Sequence, residues 1–356
     1  MAASLAPIVT ERTDGFAGAW AIFRNRFMTQ AGRIVDTGND GVSHSEGQGF
    51  GLLFAVAADD HASFQRLLAW TNANLACRTD ALHAWRYMPQ GADRVPDTNN
   101  ATDGDLLIAT ALARAGQRWG VSAYTRRAAE IARAVLDRLV VEVGGRVLLL
   151  PGAQGFQQAN GIVLNPSYYV FVAFDELGQL VPSPLWARLR RDGMGLVEAS
   201  CFGAWRLPAD WVMLGRASGA VAPSPDHPGR FSYDAVRVPL YLAWARFAQG
   251  NASGGDTPGG VMQSCARYWA RYGNAPPAWI DIRTGATAPY RATHGMIAVR
   301  QVTAGACAGA DVTDMPAVTA ATDYYSAALV MLSLLVLHDR AQGTAATGRT
   351  ATSRAA

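Results

Sequence analysis

The chain has 356 residues, half of them hydrophobic, so it can bury a large core, roughly three quarters of its unfolded surface. Its 31 basic and 28 acidic residues nearly balance without a basic run, which gives no electrostatic footprint for nucleic acid or an anionic membrane. No apolar stretch reaches the ~18 residues of a transmembrane helix, so we expect no membrane insertion.

The N-terminal segment and the cysteines bear on the cellular compartment. The first residues, MAASLAPIVTERTDG, lack the basic and apolar regions of a secretory signal peptide. The protein is therefore either cytoplasmic or exported, with its signal peptide missing from this sequence. The cysteines are too far apart for a CxxC metal pattern and are interpreted as isolated thiols packed as small hydrophobes, with one disulfide as the alternative for an exported protein. They are Cys77, Cys201, Cys265 and Cys307.

Apolar residues recur at helical spacing along most of the chain. The first predicted helix covers residues 16–28, and the second, 49–58, is apolar almost all round, which predicts a buried helix. Strand signals are few, and Gly145–Pro151 is the clearest, as one arm of a hairpin. Further helices are predicted over residues 62–75, 103–119, 124–140, 166–177, 184–200, 233–249, 262–272, 294–302 and 322–339.

Helices of this length in sequential pairs predict an all-α toroid of helical hairpins around one core. We assign residues 1–340 to a single domain. The segment 341–356 is small and polar and is predicted to be disordered.

The first acidic motif is His44-Ser-Glu46-Gly-Gln-Gly49, at the start of the predicted buried helix. Ser43 and Glu46 have the spacing of a capping box, which would make Glu46 a structural residue. The alternative is a carboxylic acid partly removed from water at a helix end, where a raised pKa suits proton donation.

The second acidic motif is Asn99-Asn-Ala-Thr-Asp103-Gly-Asp105, followed directly by Leu-Leu-Ile-Ala. Asp103 and Asp105 are two residues apart, so on a helix they point to different faces. Thr102 or Asn100 is expected to cap this helix, whose N-terminal dipole favours an acid. Capping accounts for one aspartate only, so the other is a candidate functional residue.

The third acidic motif is Phe231-Ser-Tyr-Asp234-Ala-Val-Arg237. Asp234 and Arg237 are three residues apart and can share a helix face. This is either an ordinary surface ion pair, which contributes little to stability, or a carboxylate that the guanidinium keeps ionised and able to act as a base.

Together these motifs resemble glycoside hydrolase family 8, the bacterial endoglucanases that include the periplasmic cellulases of cellulose-synthesis operons. The resemblance extends from about Trp20 to about Leu337. Residues 101–105, ATDGD, look like the family signature around its central aspartate. Residues 45–48 and 232–237 resemble the segments that carry the family's general acid and general base, and residues 165–168 and 323–325 also have family counterparts. The three acidic motifs follow the family's order at similar separations.

The resemblance implies an (α/α)6 barrel with an open cleft, whose catalytic domain hydrolyses β-1,4-linked glucan with inversion. By this resemblance Glu46 is the acid, Asp234 is the base, and Asp103 holds the sugar at the cleavage point. A periplasmic or secreted location and a functional link to a bacterial cellulose synthase complex are implied in the same way. We expect a monomer, and neither a metal ion nor an organic cofactor is needed for this chemistry.

The substrate-binding residues are expected near these acids. Pyranose rings present C–H faces that pack on aromatic rings, so a glucan cleft needs aromatic platforms. Trp85, in the loop before the central motif, is the leading platform, and Trp205 and Trp211 are weaker ones. The predicted substrate-binding set is Trp85, Tyr168, Arg237, Asn100, Tyr324 and Trp211.

Three alternatives stay open at this point. The same fold and mechanism could act on chitosan, xylan or mixed-linkage glucan. A carbohydrate-binding toroid without catalysis is disfavoured because all three expected acids are present. A toroid of the terpenoid-cyclase kind would need Asp-rich metal motifs, which Asp103-Gly-Asp105 matches poorly.

Overall fold

The computed structural model describes residues 15–250 and 258–354, and their side chains up to residue 343. Within these residues the chain forms eleven α-helices and short strands. The helices are α1 (Phe16–Phe27), α2 (Ser45–Ala57), α3 (His61–Asn74), α4 (Thr102–Trp119), α5 (Ser122–Leu139), α6 (Phe171–Leu180), α7 (Pro184–Ala199), α8 (Arg237–Ala248), α9 (Gly259–Arg271), α10 (His294–Ala308) and α11 (Tyr324–Arg354).

The strands form small antiparallel ladders between the helices. They are β1 (Ser43–His44), β2 (Arg86–Tyr87), β3 (Val140–Val143), β4 (Arg146–Leu149), β5 (Gly161–Leu164), β6 (Cys201–Phe202), β7 (Leu207–Pro208), β8 (Val212–Gly215), β9 (Val221–Pro223), β10 (Arg230–Phe231) and β11 (Ile280–Asp281). The pairs are β1–β2, β3–β4, β6–β7 and β10–β11, and β5–β8–β9 form a three-stranded sheet.

The helices form an (α/α)6 barrel with an inner and an outer layer. Helices α2, α4, α6, α8, α10 and α11 contact one another in that order, and α11 closes the ring against α2. Helices α3, α5, α7 and α9 each pack outside an inner helix, and α1 packs outside α11 and α2. Between α10 and α11 the chain carries only a 3-10 turn, Val318–Ala320, in the position of an outer helix.

Sequence composition decides which layer a helix occupies. Helix α2 is apolar on nearly every side and buries almost all of its residues, as an inner helix must. Helix α5 buries only one stripe, which includes Ala128, Ile131, Ala132 and Val135, and turns most of its arginines to solvent. The alternation of the two types along the chain builds the double ring.

Two glycines let α2 and α4 pack backbone against backbone near the cleft. A Cβ on Gly104 would stand 2.7 Å from the backbone nitrogen of Glu46, and one on Gly49 would stand 2.6 Å from the Cβ of Leu107. Real Cβ atoms do not approach other atoms so closely. This close approach brings the N-terminal turns of the two helices, and the acids they carry, together.

All predicted helices occur, and the hairpin arm is confirmed as β4 pairing with β3. Two capping predictions are wrong. Ser43 bonds to Ile34 instead of capping α2, whose N-cap residue His44 makes no side-chain capping bond. Helix α4 likewise has Ala101 at its N-cap without a side-chain bond, since Thr102 donates to the carbonyl of Leu150.

Two further expectations differ from the fold or fall partly outside it. The short strands are more numerous than the sequence indicated. The backbone of α11 is helical up to Arg354, within the segment 341–356 for which disorder was predicted, and the side chains from residue 344 onward lie outside the described part.

No described helix is both long enough and apolar enough to cross a bilayer. The four cysteines are unpaired.

Candidate active site

An open cleft of about 580 Å³ lies at the end of the barrel where the inner helices begin. Each inner helix contributes at or just before its first turn: α2 provides Glu46, α4 provides Asp103, and α11 provides Tyr325. The cleft is also lined by Tyr168 before α6, Tyr233, Asp234 and Arg237 at α8, Thr293 before α10, and Asp36, His44, Trp85 and Asp323. The positive ends of these helix dipoles favour the acidic side chains that cluster here.

The three predicted acids meet around one guanidinium. Arg237 is buried, and its Nη1 contacts Glu46 Oε1 and lies 3.5 Å from Asp103 Oδ2. Its Nη2 lies 3.0 Å from Asp234 Oδ1 and donates to Ser167 Oγ at 2.8 Å. Residues that are far apart in the sequence therefore form one ionic cluster, with a single cation among three carboxylates.

Burial and the excess of carboxylates both favour proton binding in this cluster. Burial is the main cause that raises the pKa of Asp103 to about 7, with Asp105 adding to it. Burial and then the charges of Asp210 and Asp103 raise the pKa of Asp234 to about 8. The expectation that Arg237 would hold Asp234 ionised is therefore wrong, because loss of water and neighbouring negative charge outweigh the shared guanidinium.

Asp234 lies on a turn before α8, not within a helix as the sequence predicted. Asp210 holds this turn: its carboxylate accepts hydrogen bonds from the backbone N–H groups of Ser232 (3.0 Å) and Ala235 (2.8 Å) and from the Ser232 hydroxyl. The adjacent Trp211 donates its indole N–H to Asp234 Oδ2 at 3.1 Å. The pair Asp210–Trp211 thus fixes the position of the Asp234 carboxylate.

Asp103 and Asp105 do point to different sides of α4. Asp103 faces the cleft and accepts from the backbone N–H of Gly104. Asp105 is fully buried, where its carboxylate binds the ring and backbone N–H of His83 and the amide of Asn100. The second aspartate is therefore structural.

Trp85 lines the cleft beside Glu46, as predicted for a platform. The β1–β2 ladder and the bond from the Ser45 N–H to the Trp85 carbonyl bring it there. Its ring stacks on that of His44 (centroids 5.9 Å apart), and its indole N–H donates to Asp97 at 2.7 Å. Burial lowers the pKa of His44 to about 4, so the imidazole ring that supports Trp85 is neutral.

Other members of the predicted binding set are placed differently. Tyr168 and Arg237 line the cleft, but Asn100 and Tyr324 do not. Asn100 is buried and bonds to Asp105 and to the N–H of Ala153. Tyr324 packs in the core against Phe23 and Phe27.

The two weaker tryptophan candidates are not cleft platforms. Trp211 stacks on His227 with ring centroids 4.5 Å apart, and it reaches the site through its bond to Asp234 and an edge-to-face contact with Tyr168. Trp205 packs on Tyr268 and lines a separate cavity.

Sequence reasoning missed Asp210 and Tyr325. Asp210 belongs to no motif, and Ser232, the nearest residue that its carboxylate binds, lies 22 residues further along the chain, so only the folded chain reveals its role. The predicted binding set contained Tyr324 instead of its neighbour Tyr325. Neighbouring residues on a helix face different directions, so only one of the two lines the cleft. Among the described residues no group of His, Cys, Asp and Glu has the arrangement of a metal site.

Comparisons with known proteins agree with this architecture. The family model "Glycosyl hydrolases family 8" matches residues 3–339. A probable endoglucanase of Novacetimonas hansenii is 45% identical over 320 residues, 90% of each chain. An endoglucanase of Cellulomonas uda is 38% identical over 81% of this chain and 77% of its own.

Solved structures give the same result. The endo-β-1,4-glucanase CMCax of Acetobacter xylinum superposes with a TM-score of 0.84 at 44% identity, covering 92% of this chain and 99% of that one. A match of this extent, on a barrel whose acidic residues lie in one cleft, establishes the family and the type of enzyme. The chain is a glycoside hydrolase and belongs to glycosyl hydrolases family 8.

Proposed function

We propose that the protein is an inverting endo-β-1,4-glucanase that hydrolyses cellulose-type glucan. The observation that carries this proposal is the ionic cluster of Glu46, Asp103 and Asp234 around Arg237 in an open cleft with aromatic walls. The relatives named as endoglucanases support the substrate class.

In the proposed reaction Glu46 protonates the oxygen of the glycosidic bond as that bond breaks. Asp234 takes a proton from a water molecule, whose oxygen attacks the anomeric carbon from the opposite face. The sugar leaves with inverted configuration, and the two carboxyl groups return to their starting states by exchanging protons with solvent. A carboxylate that titrates close to neutral pH suits a base, since its conjugate acid then forms and releases its proton readily.

We propose that the surplus of negative charge lets the cluster supply the proton that Glu46 donates. Three carboxylates that share one guanidinium titrate as a group, and the raised pKa values of Asp103 and Asp234 indicate that the cluster retains protons near neutral pH. We propose that a bound sugar displaces Arg237 from Glu46, leaving the acid protonated. Asp103, which is almost fully buried, would then bond the hydroxyls of the sugar at the cleavage point.

The open cleft, lined by Trp85, Tyr168, Tyr233 and Tyr325, supports attack within a chain rather than at its end. A reducing-sugar assay on carboxymethylcellulose, mixed-linkage glucan, chitosan and xylan tests the substrate class. We expect release of reducing ends mainly from carboxymethylcellulose, with a rapid fall in viscosity. Faster release from chitosan or xylan would assign the enzyme to that polymer instead.

We also propose a periplasmic or secreted location, where the protein meets a glucan substrate as a monomer, and a functional link to a bacterial cellulose synthase complex. Fractionation of the producing cells would test the location, and light scattering would test the monomer. Activity confined to the cytoplasmic fraction would contradict the first point.

A further inference from the structure

Two exposed aromatic side chains lie together next to the cleft. Among the described side chains only two large hydrophobic ones are exposed: Tyr233 (40%) and Tyr290 (51%). The Tyr233 hydroxyl lies 3.5 Å from that of Tyr290 and is placed to donate to it. Tyr233 lines the cleft, whereas Tyr290 lies beyond its lining, so the pair leads outward from the cleft.

The fold holds these rings in place. β10 and β11 pair with Arg230 opposite Asp281, and this ladder joins the segment before Tyr233 to the segment that carries Trp279. The Arg230 guanidinium lies 3.9 Å from the centre of the Trp279 ring, and the Trp279 indole N–H donates to the Tyr290 hydroxyl at 3.2 Å. The β10–β11 ladder therefore links Trp279 and Tyr290 to the turn that carries Tyr233 and Asp234.

The hydroxyl of Tyr290 accepts from both of these neighbours. Its own proton is thus directed away from them, and the half-exposed ring offers an apolar face to solvent. An apolar face beside a hydroxyl donor is what binds a pyranose ring, whose C–H face stacks on an aromatic ring while its rim carries hydroxyl groups.

We infer that Tyr290, supported by Trp279 and continuous with Tyr233, forms an outer sugar-binding ledge that takes a further glucosyl unit of a β-1,4-glucan after the chain leaves the cleft. The inference rests on the proposed glucanase function. It assigns to Tyr290 a role in the length of substrate the enzyme prefers, because only a chain long enough to cross Tyr233 reaches the ledge.

The test compares kcat/KM across cellotriose, cellotetraose, cellopentaose and cellohexaose in the full-length protein. For Tyr290→Ala we expect the ratio of kcat/KM for the longest to that for the shortest substrate to fall roughly two- to tenfold, the usual effect of an aromatic stacking contact. Tyr290→Phe keeps the ring and should retain most of the ratio. Tyr272→Ala, a tyrosine that lies outside the cleft lining, is the matched control and should leave the ratio as in wild type.

An unchanged ratio in a folded Tyr290→Ala protein that still cleaves these sugars would overturn the ledge and leave the proposed function standing. An equal fall in Tyr272→Ala would also overturn it, since the effect would then not be local. A wild-type protein that cleaves none of these sugars would overturn both proposals together.

Discussion

Gly104→Ala is a small change that should separate the two helices carrying Glu46 and Asp103. The added Cβ would stand 2.7 Å from the backbone nitrogen of Glu46 and 2.8 Å from the carbonyl carbon of Ser45. These are backbone atoms, so no side-chain rotation relieves the overlap. To reach an ordinary contact of 3.4 Å, α2 and α4 must move apart by about 0.7 Å at the active site.

The expected cost is larger for catalysis than for folding. Overpacking of this kind destabilises by roughly 1–3 kcal/mol, which corresponds to a fall of a few degrees in Tm. A displacement of about 1 Å between catalytic groups can cost on the order of a hundredfold in rate. We therefore expect kcat/KM on cellohexaose to fall by roughly tenfold to a hundredfold in a protein that remains folded.

Gly195→Ala is the matched control. Gly195 also lies inside a helix, α7, but it is exposed and a Cβ there would meet nothing within 4 Å. This variant should keep wild-type activity and gain roughly 0.5–1 kcal/mol of stability from the lost flexibility of glycine. Wild-type kcat/KM in a folded Gly104→Ala protein would refute the reasoning that the approach of α2 and α4 sets the geometry of the site.

Three further substitutions test single carboxylates. Glu46→Gln keeps the size of the side chain but cannot supply a proton, so hydrolysis should fall ~10²–10⁴-fold, and near-normal turnover would leave Glu46 as a structural residue. Asp210→Asn removes a negative charge that raises the pKa of Asp234, so the acidic limb of the pH profile of kcat/KM should move to lower pH. An acidic limb that stays in place would show that the charge of Asp210 does not act on Asp234. Asp234→Asn should abolish hydrolysis yet stabilise the fold in alkali. The folded-state pKa of about 8 lies above the ordinary value, so ionisation of Asp234 costs the wild type stability as pH rises toward 8. The variant should have the higher Tm at about pH 9 and lose that advantage near pH 4, and a lower Tm at pH 9 would contradict the raised pKa.

The helices could be predicted because their signal is local. Apolar spacing within a dozen residues identifies α1 or α5 without knowledge of the rest of the chain. The start of α8 could not be placed correctly. Residues 233–236 continue the helical pattern, but the distant carboxylate of Asp210 binds the backbone of Ser232 and Ala235 and holds a turn there. The sheet β5–β8–β9 was missed because its strands are short and β5 pairs with the distant β8, with Gly161 opposite Gly215.

The acidic part of the site could be predicted because its residues lie at or just before the starts of helices. Glu46, Asp103 and Asp234 follow from motifs, with a family resemblance to interpret them. That resemblance does not decide side-chain direction, so Tyr324 was chosen where Tyr325 lines the cleft. Asn100 stands next to the central motif, yet its amide bonds to Asp105 inside the protein. The packing of α11 against α1 decides the first case, and the packing of α4 against its neighbours decides the second.

The stereochemistry of the first product tests the central claim most directly. If Glu46 is the acid and Asp234 activates water, each cleavage of a β-linkage releases a sugar with the α configuration. Proton NMR of cellohexaose hydrolysed by the wild-type protein, recorded before mutarotation, should show the α-anomer signal grow first and the β-anomer equilibrate later. Initial release of the β-anomer would mean a covalent double displacement and would contradict the roles given to Glu46 and Asp234.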